Sequence, residues 1–165
     1  MSSATQLQFR EATVADEAQL LPMMRVLAEQ EPGKIVFDAA AARSTFRRFL
    51  ALPAFGAVWL LTLNEKAIGY IILTLGFSFE FRGHDSFIDE LYIAPEYRRR
   101  GYGRLAVDFV EGRAREMGAN ALHLEVDHGN APAIELYRRV GYQDHDRFLM
   151  TKWLAAEKQK SSPAS

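Results

Sequence analysis

The sequence predicts a single α/β domain with a mixed β-sheet, and three observations support this fold class. Stretches that alternate apolar and polar residues, as strands do, are interspersed with stretches whose apolar residues recur at helical spacing. The order is one strand, two helices, a meander of strands, and then helices alternating with strands, without an internal repeat or a linker. The 165 residues have ordinary hydrophobic and charged fractions, which suits one core over residues 1–155 and a polar, flexible tail at 156–165.

The first third of the chain predicts a short strand followed by two helices. Leu7–Arg10 reads as the strand, and Thr13 with Asp16 three residues later has the pattern of a helix cap. The helix that follows contains Pro22, which we expect to kink it. A Glu-Pro-Gly sequence ends this helix, and a second helix is predicted over about 38–50.

The middle of the chain predicts a meander of three strands. Val58–Leu63 and Ala67–Phe77 flank the turn Asn64-Glu65-Lys66, a pattern typical of a hairpin. The central strand is Phe87–Ile93, which alternates and is rich in aromatic and β-branched residues. Pro95 cannot donate to a sheet ladder, so the strand is expected to end before it.

The second half of the chain predicts helices alternating with strands. One helix begins near Arg104 and ends at Gly118, a residue type favoured just after a helix. Leu122–Val126 alternates as a strand, and Asn130 can cap a further helix that Gly141 ends. Two last strands are expected to close the sheet, at Tyr142–Gln143 and Arg147–Trp153.

A basic loop that contains glycine joins the central strand to the helix at Arg104. Arg98, Arg99 and Arg100 precede Gly101 and Gly103, whose missing side chains permit close approach to the backbone. The free N–H groups and the positive dipole end of the helix face the same loop. The loop is therefore predicted to bind an anion, and phosphate groups fit it best.

Composition excludes several classes of partner and chemistry. The net charge of −1 provides no general attraction to nucleic acid or membranes, so neither is expected as a partner. The absence of cysteine removes disulfides, thiolate metal sites and a cysteine nucleophile. His123 and His128 lack a recognised metal spacing, so no metal is expected. No signal peptide or membrane-spanning stretch is visible, and we expect a cytoplasmic protein.

Two motifs in this order resemble those of the GCN5-related N-acetyltransferase (GNAT) family. The first is Arg98-x-x-Gly101-x-Gly103, after a strand that ends Leu91-Tyr92-Ile93, and the second runs from Asn130 through Leu136-Tyr137 to Gly141-Tyr142. The resemblance covers essentially the whole domain. It implies a mostly antiparallel central sheet flanked by helices, with a splayed cofactor cleft, and an N-acetyltransferase that uses acetyl-coenzyme A and no metal.

The resemblance also implies roles for individual residues. The loop backbone would hold the pyrophosphate of acetyl-coenzyme A, and the arginine side chains would add charged contacts. Backbone groups of Leu91 and Ile93 would bind the pantetheine arm and the acetyl carbonyl. Asn130 would bind the pantetheine amides and Tyr137 would protonate the departing thiolate, and a helix would hold these two residues about 10 Å apart on one face. The loop residues in this set are Arg98, Arg99, Arg100, Gly101, Tyr102, Gly103 and Arg104.

Acetyl transfer to an amine also requires removal of a proton from that amine. An alkyl amine with a pKa of about 10.4 is only about one part in a few thousand neutral at pH 7, so a base should help. Asp89 and Glu90 on the central strand are the candidates. Strand alternation predicts that they point to opposite faces, so at most one should face the substrate. The resemblance slightly favours Asp89, because some family members that acetylate polyamines have a carboxylate at its position. Without a cysteine carrier, direct transfer in a ternary complex is expected.

The acceptor is expected to be a primary amine of a small molecule or of a protein. Acidic residues in the segments that would surround it favour a cationic amine, such as a polyamine, a lysine-like amino acid or an aminoglycoside, although a solvated acidic surface explains them equally well. Phe77, Phe79 and Phe81 fit either an acceptor pocket or a packed strand end. A homodimer is a further expectation from the resemblance. The acidic residues are Glu29, Glu31, Glu80, Asp85, Asp89 and Glu90.

Two other functions would use the same residues. Gly101-x-Gly103-x-x-Ala106 matches a dinucleotide-binding fingerprint, which would make the protein an oxidoreductase. That fingerprint requires a tight turn, whereas seven residues, Ala94–Arg100, separate the strand from Gly101. A non-catalytic domain that binds or senses acyl-coenzyme A would share the loop and stays an alternative. Tyr137 and the paired acids favour an enzyme.

Overall fold

The computed structural model describes residues 6–30 and 36–154 and contains a five-stranded sheet in the order β1-β2-β3-β4-β5. The first four strands pair antiparallel, and the last pairs parallel to the fourth. The predicted class, a mixed and mostly antiparallel sheet flanked by helices, is confirmed. The strands are β1 Gln8–Glu11, β2 Gly56–Leu63, β3 Lys66–Ser78, β4 Gly83–Ile93 and β5 Ala121–Leu124.

Helices cover both faces of this sheet. On one face the first two helices bury Leu20 and Phe46 against Leu60 and Tyr70. On the other face the third helix buries a stripe that includes Val110. Strand alternation supplies both faces with apolar side chains, as expected for a sheet buried on both sides. The helices are α1 Glu17–Gln30, α2 Ala39–Leu50, α3 Tyr102–Glu116 and α4 Ala131–Arg139.

The start of α1 is stabilised by a buried carboxylate. The Thr13 N–H donates to Asp16 Oδ2 at 2.7 Å, as the capping pattern predicts, and the short 3₁₀ turn Val14–Asp16 leads into the helix. Arg10 on β1 donates two hydrogen bonds to the same carboxylate, at 3.0 and 2.6 Å. The helix continues through Pro22. The predicted break at Glu-Pro-Gly lies outside the described residues.

The second helix begins where its sequence predicts. Asp38 Oδ1 accepts hydrogen bonds from the N–H groups of Ala40 and Ala41, at 2.8 and 3.0 Å. The Asp38 side chain thus accepts from two N–H groups that have no partner within the helix, as N-cap residues usually do.

Among the described residues, no helix is long and apolar enough to cross a membrane.

The prediction of two closing strands was wrong. Tyr142–Gln143 and Arg147–Trp153 form no strand, and no described residue pairs with the outer edge of β5. Arg147 instead donates to both oxygens of Glu80 at 2.9 Å, and the apolar residues after it, including Phe148 and Met150, are exposed. A segment with alternating apolar residues forms a strand only where a sheet edge is available to pair with it. β5 has only four residues and so offers a short edge.

Candidate functional site

The sheet opens between β4 and β5. These strands pair only from Asp85 to Ile88 on β4, opposite Ala121 to Leu124 on β5. β4 continues to Ile93, so in the described part of the chain its last residues have no strand partner on that side. The side chains of Leu91 and Ile93 pack into the core against α3. The Ala94 N–H donates to the Ile68 carbonyl on β3 at 2.8 Å, so by alternation the backbone groups of Ile93 and Leu91 point away from β3, toward the opening. The expected splayed cleft is therefore present.

A β-bulge at Asp89 changes which face the two candidate acids occupy. Ile72 on β3 pairs with Glu90, and the next residue, Leu73, pairs with Ile88, so Asp89 is the extra residue of β4. Ile88 packs on the α3 face, and Tyr92 packs on the face of α1 and α2. Because side chains alternate along a strand, Asp89 lies on the face opposite Ile88, and Glu90 lies on the same face as Tyr92. Both acids are therefore on the face of α1 and α2. The expectation that they point to opposite faces was wrong, because the bulge interrupts the alternation.

A buried tyrosine holds the carboxylate of Glu90. The Tyr70 hydroxyl donates to Glu90 Oε2 at 2.7 Å, and the Tyr70 side chain is fully buried on β3. The rings of Tyr70 and Tyr92 stack beside this contact, with centroids 5.9 Å apart. Glu90 is half-buried, whereas Asp89 is exposed. The bulge thus places one oriented carboxylate and one solvent-accessible carboxylate next to each other.

The start of α3 presents free backbone donors at the end of the basic loop. Gly101 is the N-cap residue with φ +84°, in the left-handed region that glycine adopts most easily. The Leu105 N–H makes the first helical bond, to the Gly101 carbonyl at 3.1 Å. The N–H groups of Tyr102, Gly103 and Arg104 precede that bond and have no acceptor within the helix. A Cβ on Gly101 would meet no atom within 4 Å, so open space lies above this residue.

Gly103 has a packing role in addition. A Cβ at this position would lie 3.3 Å from Leu136 Cδ2 and 3.8 Å from Ile93 Cδ1. The first turn of α3 therefore packs closely against α4 and against the end of β4. This contact brings the loop, the opening in the sheet and α4 together.

The arginines of the loop have different surroundings. The Arg98 Nε donates to the Ile93 carbonyl at 2.7 Å, and its Nη2 donates to Gln30 Oε1 at 2.9 Å, so this side chain joins the loop to β4 and α1. Arg99 has a positive φ of 59° and is exposed. The Arg100 guanidinium lies 5.7 Å from the centroid of the Tyr97 ring. Arg104 pairs with Asp108 one turn later at 3.6 Å. Of these arginines, Arg104 alone pairs with a carboxylate of the described residues, Arg98 is held by neutral oxygens, and the guanidinium groups of Arg99 and Arg100 have no such partner there.

Asn130 caps α4, as its sequence predicts. Its Oδ1 accepts a hydrogen bond from the Ala133 N–H at 3.3 Å, and its own N–H donates to the Asp127 carbonyl at 2.9 Å. The side chain is exposed. Because the cap uses only the oxygen of the amide, the NH₂ group can still donate to a ligand.

Tyr137 lies on α4 in a mostly apolar environment. Burial raises the pKa of its hydroxyl above the ordinary 10.0, so the phenol is protonated at neutral pH. Its ring packs edge to face on Tyr142, with centroids 5.7 Å apart, and Tyr142 packs in the core on the α3 face. Tyr137 also lines a groove of about 1100 Å³ between β5, α3 and α4. A protonated phenol therefore lies on the α3 side of the sheet, opposite the face of Asp89 and Glu90.

Two of the other acids considered for the acceptor have partners of their own. Glu80 is paired with Arg147, and Asp85 lies 3.8 Å from His123. Phe77 and Phe79, at the end of β3 and just after it, are 66% and 93% exposed and pack on each other, which favours an exposed hairpin end over an acceptor pocket. Glu31 lies outside the described residues. Within residues 6–30 and 36–154, no three His, Asp or Glu side chains are grouped so that they could hold a metal ion.

Sequence reasoning missed three features of this site. One is Tyr70, although a tyrosine in a buried strand signals a hydrogen-bond partner for its hydroxyl. Another is the bulge at Asp89, which leaves no sequence signal because it depends on pairing with β3. The third is a contact of Lys66 and Arg100 with Tyr97, which brings together residues from two separate turns.

Comparison with known proteins is consistent with this geometry. Residues 21–142 match the model of the acetyltransferase (GNAT) family. Over 147 residues the chain is 26% identical to the thialysine N-epsilon-acetyltransferase of Bos taurus, covering 84% of this chain and 85% of that protein. A 55-residue stretch is 46% identical to the streptothricin acetyltransferase of Streptomyces lavendulae, but it spans only 33% of this chain and 29% of that protein.

A solved structure shares the fold. A predicted acetyltransferase from Clostridium acetobutylicum, solved with acetyl-CoA, superposes with a TM-score of 0.75 at 19% identity. The match covers 89% of this chain and 96% of that chain. The order of strands and helices around the opening is therefore that of an acetyltransferase fold.

Proposed function

Because the chain belongs to the acetyltransferase (GNAT) family, we propose that it moves an acetyl group from acetyl-coenzyme A directly to a primary amine. One observation carries this proposal. The phenol of Tyr137 lies on the α3 side of the sheet, and the carboxylates of Asp89 and Glu90 lie on the opposite face, where the pairing of β4 with β5 ends. An acyl donor and an amine that enter from opposite faces would meet there, each beside the group that its proton transfer requires.

The start of α3 suits the phosphates of acetyl-coenzyme A. The N–H groups of Tyr102, Gly103 and Arg104 and the positive helix end favour a pyrophosphate, and Gly101 leaves room for it. Arg99 and Arg100 would add charge. Arg98 would act indirectly, by fixing the Ile93 carbonyl and the loop. From this point the pantetheine arm would follow the free edge of β4 at Leu91 and Ile93, with the Asn130 amide donating to it.

The proposed reaction needs two proton transfers, and the chain offers a group for each. The amine nitrogen attacks the acetyl carbonyl, a C–N bond forms and the C–S bond breaks. Glu90, directly or through a water molecule, takes the proton from the amine, while Asp89 attracts the ammonium form. Tyr137 gives its proton to the departing sulfur and recovers one from solvent. No cysteine is present to carry the acetyl group, which supports direct transfer in a ternary complex.

A cationic acceptor fits the acidic face of the opening. Asp89 and Glu90 lie together there, and one carboxylate can receive a proton while the other keeps its charge. The name of the thialysine N-epsilon-acetyltransferase relative supports a side-chain amine of a lysine-like amino acid as the first acceptor to test. We therefore place small cationic amines ahead of protein amines.

Calorimetric titration and a thiol-release assay test this function in two steps. Acetyl-coenzyme A and coenzyme A should bind, and a nicotinamide dinucleotide should not. The assay should then detect free coenzyme A with thialysine, lysine or polyamines, and mass spectrometry should detect the acetylated amine. Binding without transfer to any amine of a broad panel would indicate a sensing domain instead. Absence of acetyl-coenzyme A binding would refute the proposed function.

A further inference from the structure

Two cations flank one tyrosine ring beside the basic loop. Lys66 is the first residue of β3, and its Nζ lies 5.4 Å from the centroid of the Tyr97 ring and 3.2 Å from the Tyr97 hydroxyl. The Arg100 guanidinium lies 5.7 Å from the same centroid. We refer to Lys66, Tyr97 and Arg100 as the Tyr97 cluster. Its residues come from two different turns, and Lys66 and Tyr97 are 31 positions apart in the sequence.

The backbone holds this cluster in place. Asn64 and Glu65 both have positive φ, 47° and 66°, and form the tight turn that sets Lys66 opposite Leu63. Tyr97 lies in the 3₁₀ turn Pro95–Tyr97, and its ring packs on the core on the α3 face. The ring therefore orders two long side chains that would otherwise be free to rotate, which lowers the entropy cost of binding a ligand beside it.

The cluster lacks a protein anion. Neither Lys66 nor Arg100 forms an ion pair with a carboxylate of residues 6–30 or 36–154. Glu65 and Glu96 are their neighbours in sequence, yet neither pairs with them. Two like charges on one ring repel each other, and the cation–π contacts offset this only in part. An anion bound beside the cluster would reduce this repulsion.

The cluster adjoins the proposed pyrophosphate site and shares Arg100 with it. Arg100 immediately precedes Gly101, the N-cap of α3, whereas Lys66 belongs to the β2–β3 turn. Coenzyme A carries, besides its pyrophosphate, a separate phosphate monoester on the ribose. A monoester with a charge near −2 suits one ammonium and one guanidinium, since lysine binds phosphate as a point charge and arginine as a fork.

We propose that the Tyr97 cluster binds the ribose phosphate monoester of coenzyme A, with Lys66 as a ligand-binding residue, an inference that rests on the proposed function. The cluster then gives the protein a preference for coenzyme A over the same molecule without this phosphate. Lys66 contributes to that preference and not to the affinity for the rest of the cofactor.

Calorimetric titration with coenzyme A and with dephospho-coenzyme A tests the proposal. The wild-type protein should bind coenzyme A about tenfold more tightly, as expected for one charged contact in a solvent-exposed site. Lys66→Ala should weaken coenzyme A binding by a similar factor and leave dephospho-coenzyme A binding unchanged. Lys152→Ala is the matched control, because Lys152 follows Arg147, which is bound to Glu80 beyond the far end of β3. It should keep the wild-type preference.

The outcomes separate this proposal from the function it rests on. Equal affinities of the wild-type protein for the two molecules would overturn the phosphate site while leaving acetyl transfer intact. A preserved preference in Lys66→Ala would overturn the role of Lys66. If neither molecule binds to the wild-type protein, the proposed function fails, and this site fails with it.

Discussion

The Tyr70 hydroxyl donates a 2.7 Å hydrogen bond to Glu90 across two neighbouring strands, and the bulge at Asp89 makes this contact possible. Without the extra residue, Glu90 would share the face of Ile88, away from Tyr70. The pairing of β3 with β4 therefore decides which carboxylate is oriented at the opening. A buried donor of this kind holds a carboxylate in one position.

This contact predicts a graded loss of turnover. Glu90→Gln should lower kcat about 100-fold if Glu90 takes the proton from the amine. Tyr70→Phe should lower kcat less, because it removes a donor that orients the carboxylate and leaves the carboxylate itself. Initial rates at saturating acetyl-coenzyme A measure both effects. Tyr92→Phe removes a hydroxyl from the neighbouring ring and should keep the wild-type kcat. A wild-type kcat in Tyr70→Phe would show that Tyr70 only packs the core.

Tyr137 is predicted to act in turnover rather than in binding. Tyr137→Phe should lower kcat about 100-fold with little change in the Kd of acetyl-coenzyme A. Since burial raises the Tyr137 pKa above 10.0, the wild-type enzyme should keep its proton donor through pH 9. The control is Tyr142→Phe, because the buried Tyr142 hydroxyl has no hydrogen-bond partner in the described structure. Equal kcat values for the two variants would show that Tyr137 packs in the core and does not act as the proton donor.

Gly101 can be tested against a second glycine with nearly the same backbone. Gly101 and Gly118 have φ values of +84° and +82°, and a Cβ on either would meet nothing within 4 Å. Gly101→Ala and Gly118→Ala should therefore lose similar stability, about 1 kcal/mol each, from left-handed strain. Only Gly101→Ala should also weaken acetyl-coenzyme A binding, by about tenfold, because its methyl group would occupy the space above the first turn of α3. Thermal denaturation and calorimetry separate the two effects, and equal cofactor affinities would contradict the loop assignment.

Local signals in the sequence predicted most of the fold and part of the site. Asn130 caps α4 and the Thr13–Asp16 pair caps the turn before α1, as predicted, because capping depends on a few adjacent residues. Gly101 caps α3, which begins at Tyr102, two residues before the predicted start near Arg104. The bulge and the inward contacts of Arg98 could not be predicted in this way. Gln30 lies 68 residues before Arg98, and their contact depends on how α1 packs against β4.

The last strands illustrate the same limit. Arg147–Trp153 has the alternation of a strand, yet it forms none, because pairing requires an edge as well as a pattern. Within the site, the residue types in the sequence predicted which side chains are candidates for catalysis. Which of these side chains lie on the same face depends on how distant strands pair. The faces of Asp89 and Glu90 are the clearest case.

Asp16 predicts a pH dependence of stability that is independent of catalysis. Its carboxylate is 4% exposed, and the hydrogen bonds from Arg10 lower its pKa from 3.8 to about 2, with a further contribution from the Thr13 N–H and against the effect of burial. Because the pKa is lower in the folded state, this group stabilises the protein above pH 4, and its contribution is lost as the pH falls toward 2.

Asp16→Asn should therefore lower the free energy of unfolding by about 2 kcal/mol at pH 7, and by about half as much at pH 3. Urea denaturation at both pH values measures the difference. Asp144→Asn is the matched control, since Asp144 also pairs with an arginine, Arg138, but both side chains are exposed. Exposed ion pairs contribute little, so this variant should unfold close to wild type. A loss in Asp16→Asn that is the same at pH 3 and pH 7 would mean that the side chain acts through its shape and not its charge.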